Sequence, residues 1–236
     1  MNDKRKTAGR GLVSALAVAV ALLMVTSPLR ADTPRATAGH TGDYVELFGF
    51  GSFATIDGVT ANTGSPQIRN GSDFTGGPGI AIGYDWVKKG VPIRSELEFT
   101  YRVRFDYDLR IPEQAGYETN LHSMVLMANV YYDHEVAPSW TAYVGGGLGW
   151  AHHMSDVDRV ALLGMTTTTR DDTTGALVWN AGVGALWRFR PNWNLDLRYR
   201  YIDLGEVASG PHTDGTVLEA DTYRAHEFVI GLVYRF

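Results

Sequence analysis

The strongest restriction on the fold lies in residues 93–107, where the character of the side chain alternates from one position to the next. The odd-numbered positions are apolar or aromatic apart from Ser95, and the even-numbered positions are charged apart from Thr100. Successive side chains of a β-strand point to opposite faces of the sheet, so this period of two predicts a strand. Strands in soluble sheets usually have about five or six residues, whereas a run this long suits a tilted strand that crosses a membrane.

Comparable segments recur through the rest of the chain and predict eight strands. They lie near residues 43–53, 76–86, 92–107, 119–133, 140–153, 176–189, 193–204 and 223–236. The connections between them alternate, so that the first, third, fifth and seventh are long and the others are short. Outer-membrane barrels have long extracellular loops and short periplasmic turns. Residues 93–107 alone would also fit a soluble β-sandwich. A β-sandwich is not expected to alternate long and short loops in this way.

The pattern therefore predicts an all-β domain over residues 43–236, an eight-stranded antiparallel up-and-down transmembrane β-barrel. The mean hydropathy of −0.13 excludes a bundle of membrane helices. It agrees with a barrel, because a charged interior and an apolar exterior cancel in the average. The formal charge of −5 argues against a nucleic-acid partner, which usually requires a basic face. The absence of cysteine excludes disulfides, thiolate metal sites and thiol nucleophiles.

The first residues have the composition of an export signal. Four basic residues precede an apolar run from Leu12 to Val25. This run is shorter than the ~20 apolar residues that a membrane-spanning helix needs, which favours a cleaved signal peptide over an anchoring helix. We assign residues 1–31 to the signal peptide and residues 32–42 to a short periplasmic segment, although cleavage after Ala38 also fits the small-residue pattern.

The alternation also predicts which charged side chains face the interior. The inward positions carry six acidic residues and six arginines, so their charges balance. These residues are Glu46, Asp85, Glu96, Glu98, Asp196 and Glu227, with Arg94, Arg102, Arg104, Arg198, Arg200 and Arg235. Side chains are enough to fill an eight-stranded barrel, so we expect ion-pair networks across the lumen, because an unpaired buried charge is costly. Inward-facing glycines such as Gly145 and Gly182 are expected to make room for bulky residues opposite them. The facing of the first and fourth strands stays open.

The sequence offers little for catalysis or for metal binding. His122 and Ser123 are adjacent, so in a strand they point to opposite faces and cannot pair directly. His152 and His153 lie at the loop end of the fifth strand, and His226 is expected to face lipid. The acidic residues of the long connections lack the spacing of a calcium-binding loop. We therefore predict that the protein is not an enzyme and has no metal or cofactor site.

Aromatic residues cluster at the predicted strand ends and in the last strand. Those at the ends are expected to form girdles at the two membrane surfaces. They are Tyr44, Trp86, Trp140, Trp150, Trp179, Trp187 and Trp193. In the last strand, one face carries Phe228, Ile230, Leu232, Tyr234 and the final residue, Phe236. This strand is predicted to pair with the first strand and to close the barrel.

The segment Ala181–Gly205 resembles a hairpin of the small OmpA-like, or opacity-type, outer-membrane proteins. The shorter stretches Asn129–Asp133, Tyr143–Gly149 and His226–Phe236 support this resemblance, which covers about residues 43–236. The resemblance implies an eight-stranded barrel whose terminal Phe236 is read by the outer-membrane assembly machinery. We expect no peptidoglycan-binding domain after Phe236, so the cell-wall attachment of full OmpA proteins is not carried over from the resemblance.

We therefore expect a monomeric protein in the outer membrane of a Gram-negative bacterium, in contact with lipid and lipopolysaccharide. Its expected role is structural or surface-interacting, in envelope integrity or in adhesion through the long extracellular loops. A host or surface ligand is not identified by any motif. Two alternatives stay open, a small porin or narrow channel for small solutes and, third, a lipid A-modifying enzyme.

Overall fold

Eight long strands follow one another around a closed ring, and two short strands are added to it. The computed structural model describes residues 42–62, 67–111, 115–161, 166–210 and 217–236. The strands are β1 (Asp43–Ala61), β2 (Gln67–Asn70), β3 (Ser72–Asp85), β4 (Ile93–Ile111), β5 (Ala115–Ala137), β6 (Trp140–Ala161), β7 (Thr166–Arg190), β8 (Trp193–Asp203), β9 (Val207–Ser209) and β10 (Leu218–Arg235). The predicted signal peptide and the periplasmic segment, apart from Gly42, lie outside the described residues.

Antiparallel pairing of the first and last strands closes the sheet. The ring runs β1-β3-β4-β5-β6-β7-β8-β10 and returns to β1, while β2 pairs with β4 and β9 pairs with β10. Along the closing seam Leu47 lies opposite Leu232, and Gly51 lies opposite Phe228. At the seam's end the N–H of Phe236 donates to the carbonyl of Asp43 over 3.0 Å. The eight-stranded up-and-down barrel predicted from the sequence is confirmed.

The short connections all lie at the end of the barrel where β1 begins and β10 ends. A 3₁₀ turn, Trp86–Lys89, joins β3 to β4. Gly90 ends it with a φ of 77°, which is strained for a residue with a side chain. Two-residue turns at 138–139 and 191–192 join β5 to β6 and β7 to β8. In the part of the chain that the structure describes, no helix has the length and apolar character to cross a membrane.

At the opposite end the strands are longer than the sequence predicts. The expected connection 154–175 is largely strand, because β6 and β7 stay paired from the short turn up to Val160 and Thr166. β4 and β5 stay paired in the same way up to Ile111 and Ala115. These paired extensions are polar on much of both faces, so they lack the alternation by which a strand is recognised.

A bulge in β4 corrects the predicted facing of its upper half. Arg102 lies opposite Ser123 and Phe105 lies opposite Leu121, so two residues of β4 oppose one residue of β5. Such a bulge reverses the inward and outward positions beyond it. Phe105, which strict alternation turns to the lipid, is therefore in the interior with 0% of its surface exposed. The side chain of Arg104 lies outside the described residues.

An apolar belt surrounds the barrel. Exposed apolar side chains from all eight long strands form it. Among them are Leu47, Ile82, Leu97, Leu126, Leu148, Leu177, Leu197 and Ile230. Aromatic pairs flank the belt. Trp140 and Trp187 stack near the short turns, and Phe53 and Phe74 meet edge to face near the other end. The girdle position predicted for Tyr44 is wrong, because Tyr44 shares the inward face of β1 with Glu46 and is 2% exposed.

Replacing Leu97 with arginine tests the outward face of β4. Leu97 is 47% exposed in the belt, and a cation on the lipid face near the middle of the bilayer costs roughly 2–4 kcal/mol. We expect urea unfolding in lipid vesicles to show a loss of that order. Leu97→Val, which keeps the apolar surface, should lose much less, and equal stability of the two variants would contradict the assigned face.

Candidate functional site in the barrel interior

Glycines on the inner wall allow large side chains to fit inside a narrow barrel. A side chain on Gly184 would collide with the ring of Tyr143, and one on Gly182 would collide with Arg200. Gly231 leaves the same kind of space for Glu46. The chain contains 27 glycines. Some of them are required because the side chains that face them in the interior are large.

Arg198 on β8 is the centre of the interior charge network. Its Nη2 atom lies 2.9 Å from Oε2 of Glu46 and 2.8 Å from Oδ2 of Asp196. Its Nη1 atom lies 3.1 Å from Oε2 of Glu98 and 3.6 Å from Oε1 of Glu96. All five side chains are buried, so a single guanidinium holds carboxylates from β1, β4 and β8 together.

A second group of charges lies nearer the extracellular end. Arg200 contacts Glu98 over 2.6 Å and Glu227 over 2.6 Å. Arg102 pairs with the same Glu227 and donates to Oγ of Ser52 over 2.9 Å. Glu98 joins the two groups, since its other carboxylate oxygen contacts Arg198.

Two ion pairs lie toward the end with the short turns. Arg94 contacts Asp133 over 2.7 Å, and Arg235 pairs with Asp85. The guanidinium of Arg94 is packed among aromatic rings, with its central carbon 4.7 Å from the centroid of Tyr143, a favourable cation–π geometry. The predicted set omits Asp133, because the facing of β5 is ambiguous in the sequence. Every predicted interior charge except Arg104 is placed in the interior, and the role of Arg104 stays a prediction.

A packed apolar layer fills the barrel beyond the charges, toward its extracellular end. Its members include Ala54, Ile56, Phe105, Leu121, Val157, Val178, Ile202, Leu204, Val207, Leu218, Ala220 and Tyr223. Sequence reasoning misses this layer because it assigns much of that region to loops. The bulge in β4 is one source of the error, since it turns Phe105 into the layer.

A serine and a histidine lie at the boundary between the two layers. Oγ of Ser123 is 2.7 Å from Nδ1 of His153, and Nε2 of His153 is 2.9 Å from the carbonyl oxygen of Leu204. A carbonyl oxygen only accepts, so Nε2 carries a proton, and in the neutral imidazole Nδ1 then accepts from the hydroxyl of Ser123. The sequence hides this pair because its members lie on neighbouring strands.

The geometry of Ser123 and His153 is that of a nucleophile beside a base, but both residues are 1% exposed. A substrate therefore has no access to Ser123 in this arrangement, and the pair connects β5 and β6 to the end of β8. Among the described residues, no group of three or more histidines and carboxylates is arranged to hold a metal ion.

Comparison with known proteins identifies the family. The model of the outer membrane protein beta-barrel domain matches residues 16–236. The chain belongs to this family. It is therefore an outer-membrane β-barrel of a Gram-negative bacterium, which confirms the location predicted from the sequence.

Individual relatives agree with this family. The outer membrane protein PagN of Salmonella typhimurium is 28% identical over 205 residues, which cover 81% of this chain and 85% of PagN. Neisserial surface protein A has a TM-score of 0.51 at 20% identity, over 84% of this chain and 99% of that chain. OprG from Pseudomonas aeruginosa has a TM-score of 0.50 at 14% identity, over 85% and 98%. At these identities the two structures show a common fold.

Matched substitutions in a buried and an exposed ion pair test how far the network stabilises the barrel. Arg200→Met removes a guanidinium that neutralises Glu98 and Glu227, and breaking a buried pair costs about 3–5 kcal/mol. Arg224→Met removes the partner of Asp57, where the two side chains are 44% and 50% exposed, and should cost less than about 1 kcal/mol. Urea unfolding in vesicles measures both. Similar losses for the two variants would contradict a stabilising network.

Proposed function

We propose that the protein is a monomeric, non-conducting and non-enzymatic barrel that acts at the cell surface, in adhesion or in envelope integrity, through its extended strand hairpins. The observation that carries this proposal is a barrel with a packed interior whose central strands continue far beyond the apolar belt. Such a structure offers an external surface and little internal space. Its belt lies in contact with membrane lipid, and its outer aromatic residues face the lipopolysaccharide leaflet.

The hairpins are suited to surface contact because they are paired ribbons. β4 and β5 remain paired up to Ile111 and Ala115, and β6 and β7 remain paired up to Val160 and Thr166, well above the belt. Backbone pairing reduces the conformational entropy that a flexible loop would lose on binding a partner. A ribbon also offers two faces and its edges for contact, and extended segments can be recognised at such edges.

The packed interior argues against a channel. Arg102, Arg198 and Arg200 are all buried at the level of the membrane, and Phe105 and Leu121 are buried above them. A solute would have to displace both the ion pairs and the apolar layer. The enclosed position of Ser123 likewise argues against lipid A modification, since a membrane lipid has no route to its hydroxyl.

Shortening the two longest hairpins tests the surface role. Replacing residues 158–169 with Asn-Gly connects Val157 to Arg170, which already face each other. Replacing residues 108–118 in the same way connects Tyr107 to Thr119. Asn-Gly forms the tight turns typical of two-residue hairpins. We expect the variants to fold, as judged by heat-dependent electrophoretic mobility, and to lose most binding of the bacteria to epithelial cells and extracellular matrix.

Two further measurements complete this test. A control with serine in place of Thr166–Thr169 keeps the ribbon length and should bind as the wild type does. Binding that is unchanged after both hairpins are shortened would contradict the adhesive role. In planar lipid bilayers the purified barrel should give no conductance steps, and regular steps would favour the small porin instead.

We also propose that the outward face of the last strand, with residues Phe228, Ile230, Leu232, Tyr234 and Phe236, is read by the outer-membrane assembly machinery. Phe228, Ile230, Leu232 and Phe236 are exposed on the belt side of β10 or just after it. Ile230 and Leu232 lie between the aromatic residues, so the segment offers an extended apolar face before the seam closes.

Deleting Phe236 separates an assembly signal from a structural contact. The deletion removes the hydrogen bond to Asp43 and the ring contact with Tyr234, and it leaves the paired residues Tyr44–Ala61 and Leu218–Arg235 in place. We expect near-normal folding of the purified variant into detergent but a reduced amount in the outer membrane of cells. Phe236→Tyr, which keeps an aromatic end, should assemble far better. Normal surface levels of the deletion would rule out the signal.

A further inference from the structure

Among the side chains that the structure describes, the interior of the barrel contains more acidic residues than basic ones. The described acids are Glu46, Asp85, Glu96, Glu98, Asp133, Asp196 and Glu227, and the described arginines are Arg94, Arg102, Arg198, Arg200 and Arg235. The balance predicted from the sequence is therefore not found among the described side chains. Asp133 adds an acid, and Arg104 belongs to a part of β4 farther toward the extracellular end.

Most of these charges neutralise one another locally. Asp133 is matched by Arg94, and Asp85 is matched by Arg235. Arg102 and Arg200 together neutralise Glu227 and Glu98. What remains is Arg198 with three carboxylates, those of Glu46, Glu96 and Asp196, and we call these four residues the Arg198 cluster.

The donors of Arg198 do not suffice for all three carboxylates. Its Nη2 and Nε atoms donate to Glu46 and Asp196, while Nη1 donates to Glu98 and to the hydroxyl of Tyr131. Glu96 is the carboxylate left with the weakest contact, at 3.6 Å. Its Oε2 atom accepts from Tyr44 over 3.0 Å, and its buried Oε1 atom has no hydrogen-bond partner.

We propose that the Arg198 cluster is a proton-binding site that holds at least one proton at neutral pH, with Glu96 as its main carrier. Burial disfavours a charged carboxylate, and like charges that share one site disfavour it further. A neutral Glu96 leaves Arg198 with two carboxylates to neutralise, which lowers the cost of burying the cluster.

The surroundings of Glu96 are polar on several sides. The titratable and charged groups that face it come from β1, β4, β5 and β8. They are Tyr44, Glu46, Arg94, Glu98, Tyr131 and Arg198. Arg94 is held by Asp133, and the hydroxyl of Tyr143 donates to Asp196. Arg198 is the cation in contact with all three carboxylates.

Proton binding in the folded barrel couples its stability to pH. A glutamate in the unfolded chain titrates near pH 4.3 and is ionised at neutral pH, so folding takes up a proton. Above about pH 4.3 the folded state then binds more protons than the unfolded state, so stability falls as the pH rises through neutrality, until the folded site loses its proton. One proton changes the ratio of folded to unfolded protein by up to tenfold per pH unit.

Two isosteric substitutions test the site. Gln resembles a protonated Glu but takes up no proton on folding, so Glu96→Gln should be at least as stable as the wild type at pH 7. The ratio of folded to unfolded wild type should fall by up to tenfold more per pH unit than that of the variant while the site keeps its proton. Glu227→Gln is the matched control, because Glu227 is held by two arginines. It should be clearly destabilised at pH 7 and keep the pH dependence of the wild type.

Infrared spectroscopy of the folded barrel in vesicles detects the proton directly. The wild type at pH 7 should show the carbonyl band of a protonated carboxyl group, and Glu96→Gln should lose that band. A wild type without the band would overturn the proposal even if the variant fails to fold. A band that survives in Glu96→Gln would also overturn it, and so would equal destabilisation of the two variants. A band seen only after divalent cations are removed would overturn it as well, because the site would then hold a cation in place of the proton.

Discussion

The structure depends on the pairing of β1 with β10. In the hydrocarbon of a membrane, each backbone N–H and C=O group must find its partner within the protein. An open sheet would leave two unpaired edges, and the seam from Asp43 to Ala61 against β10 removes both. Closure with eight strands also sets the width of the lumen, so that side chains alone can fill it.

Because the lumen is narrow and lined by ionisable side chains, these side chains must fit one another in shape and pair with one another in charge. Gly182 and Gly184 leave space for Arg200 and Tyr143, and Arg198 gathers carboxylates from several strands. The apolar layer above these charges fills the part of the barrel that rises beyond the belt. The same closure that removes the edges therefore favours a solid barrel, whose contacts with other molecules are made on its outside and at its hairpins.

The number of strands, their order and most interior charges could be predicted from the sequence, because lipid on one side and a narrow lumen on the other impose a strict period of two. Prediction fails where that period is interrupted or where both faces meet water. The bulge between Arg102 and Phe105 reverses the facing of β4, and the hairpin ends of β6 and β7 have no apolar face to follow. The pairing of Ser123 with His153 depends on register between strands, which no local pattern encodes.

The ion pairs have a consequence for how the barrel forms, because they join strands on both sides of the seam. Glu46 on β1 is bound to Arg198 on β8, and Glu227 on β10 is bound to Arg102 on β4. While β1 and β10 are apart, these partners are separated and their charges need water or another protein surface. Sealing the barrel therefore also forms these two ion pairs, and charges in the interior hold the finished seam together in addition to the backbone pairing along its edge.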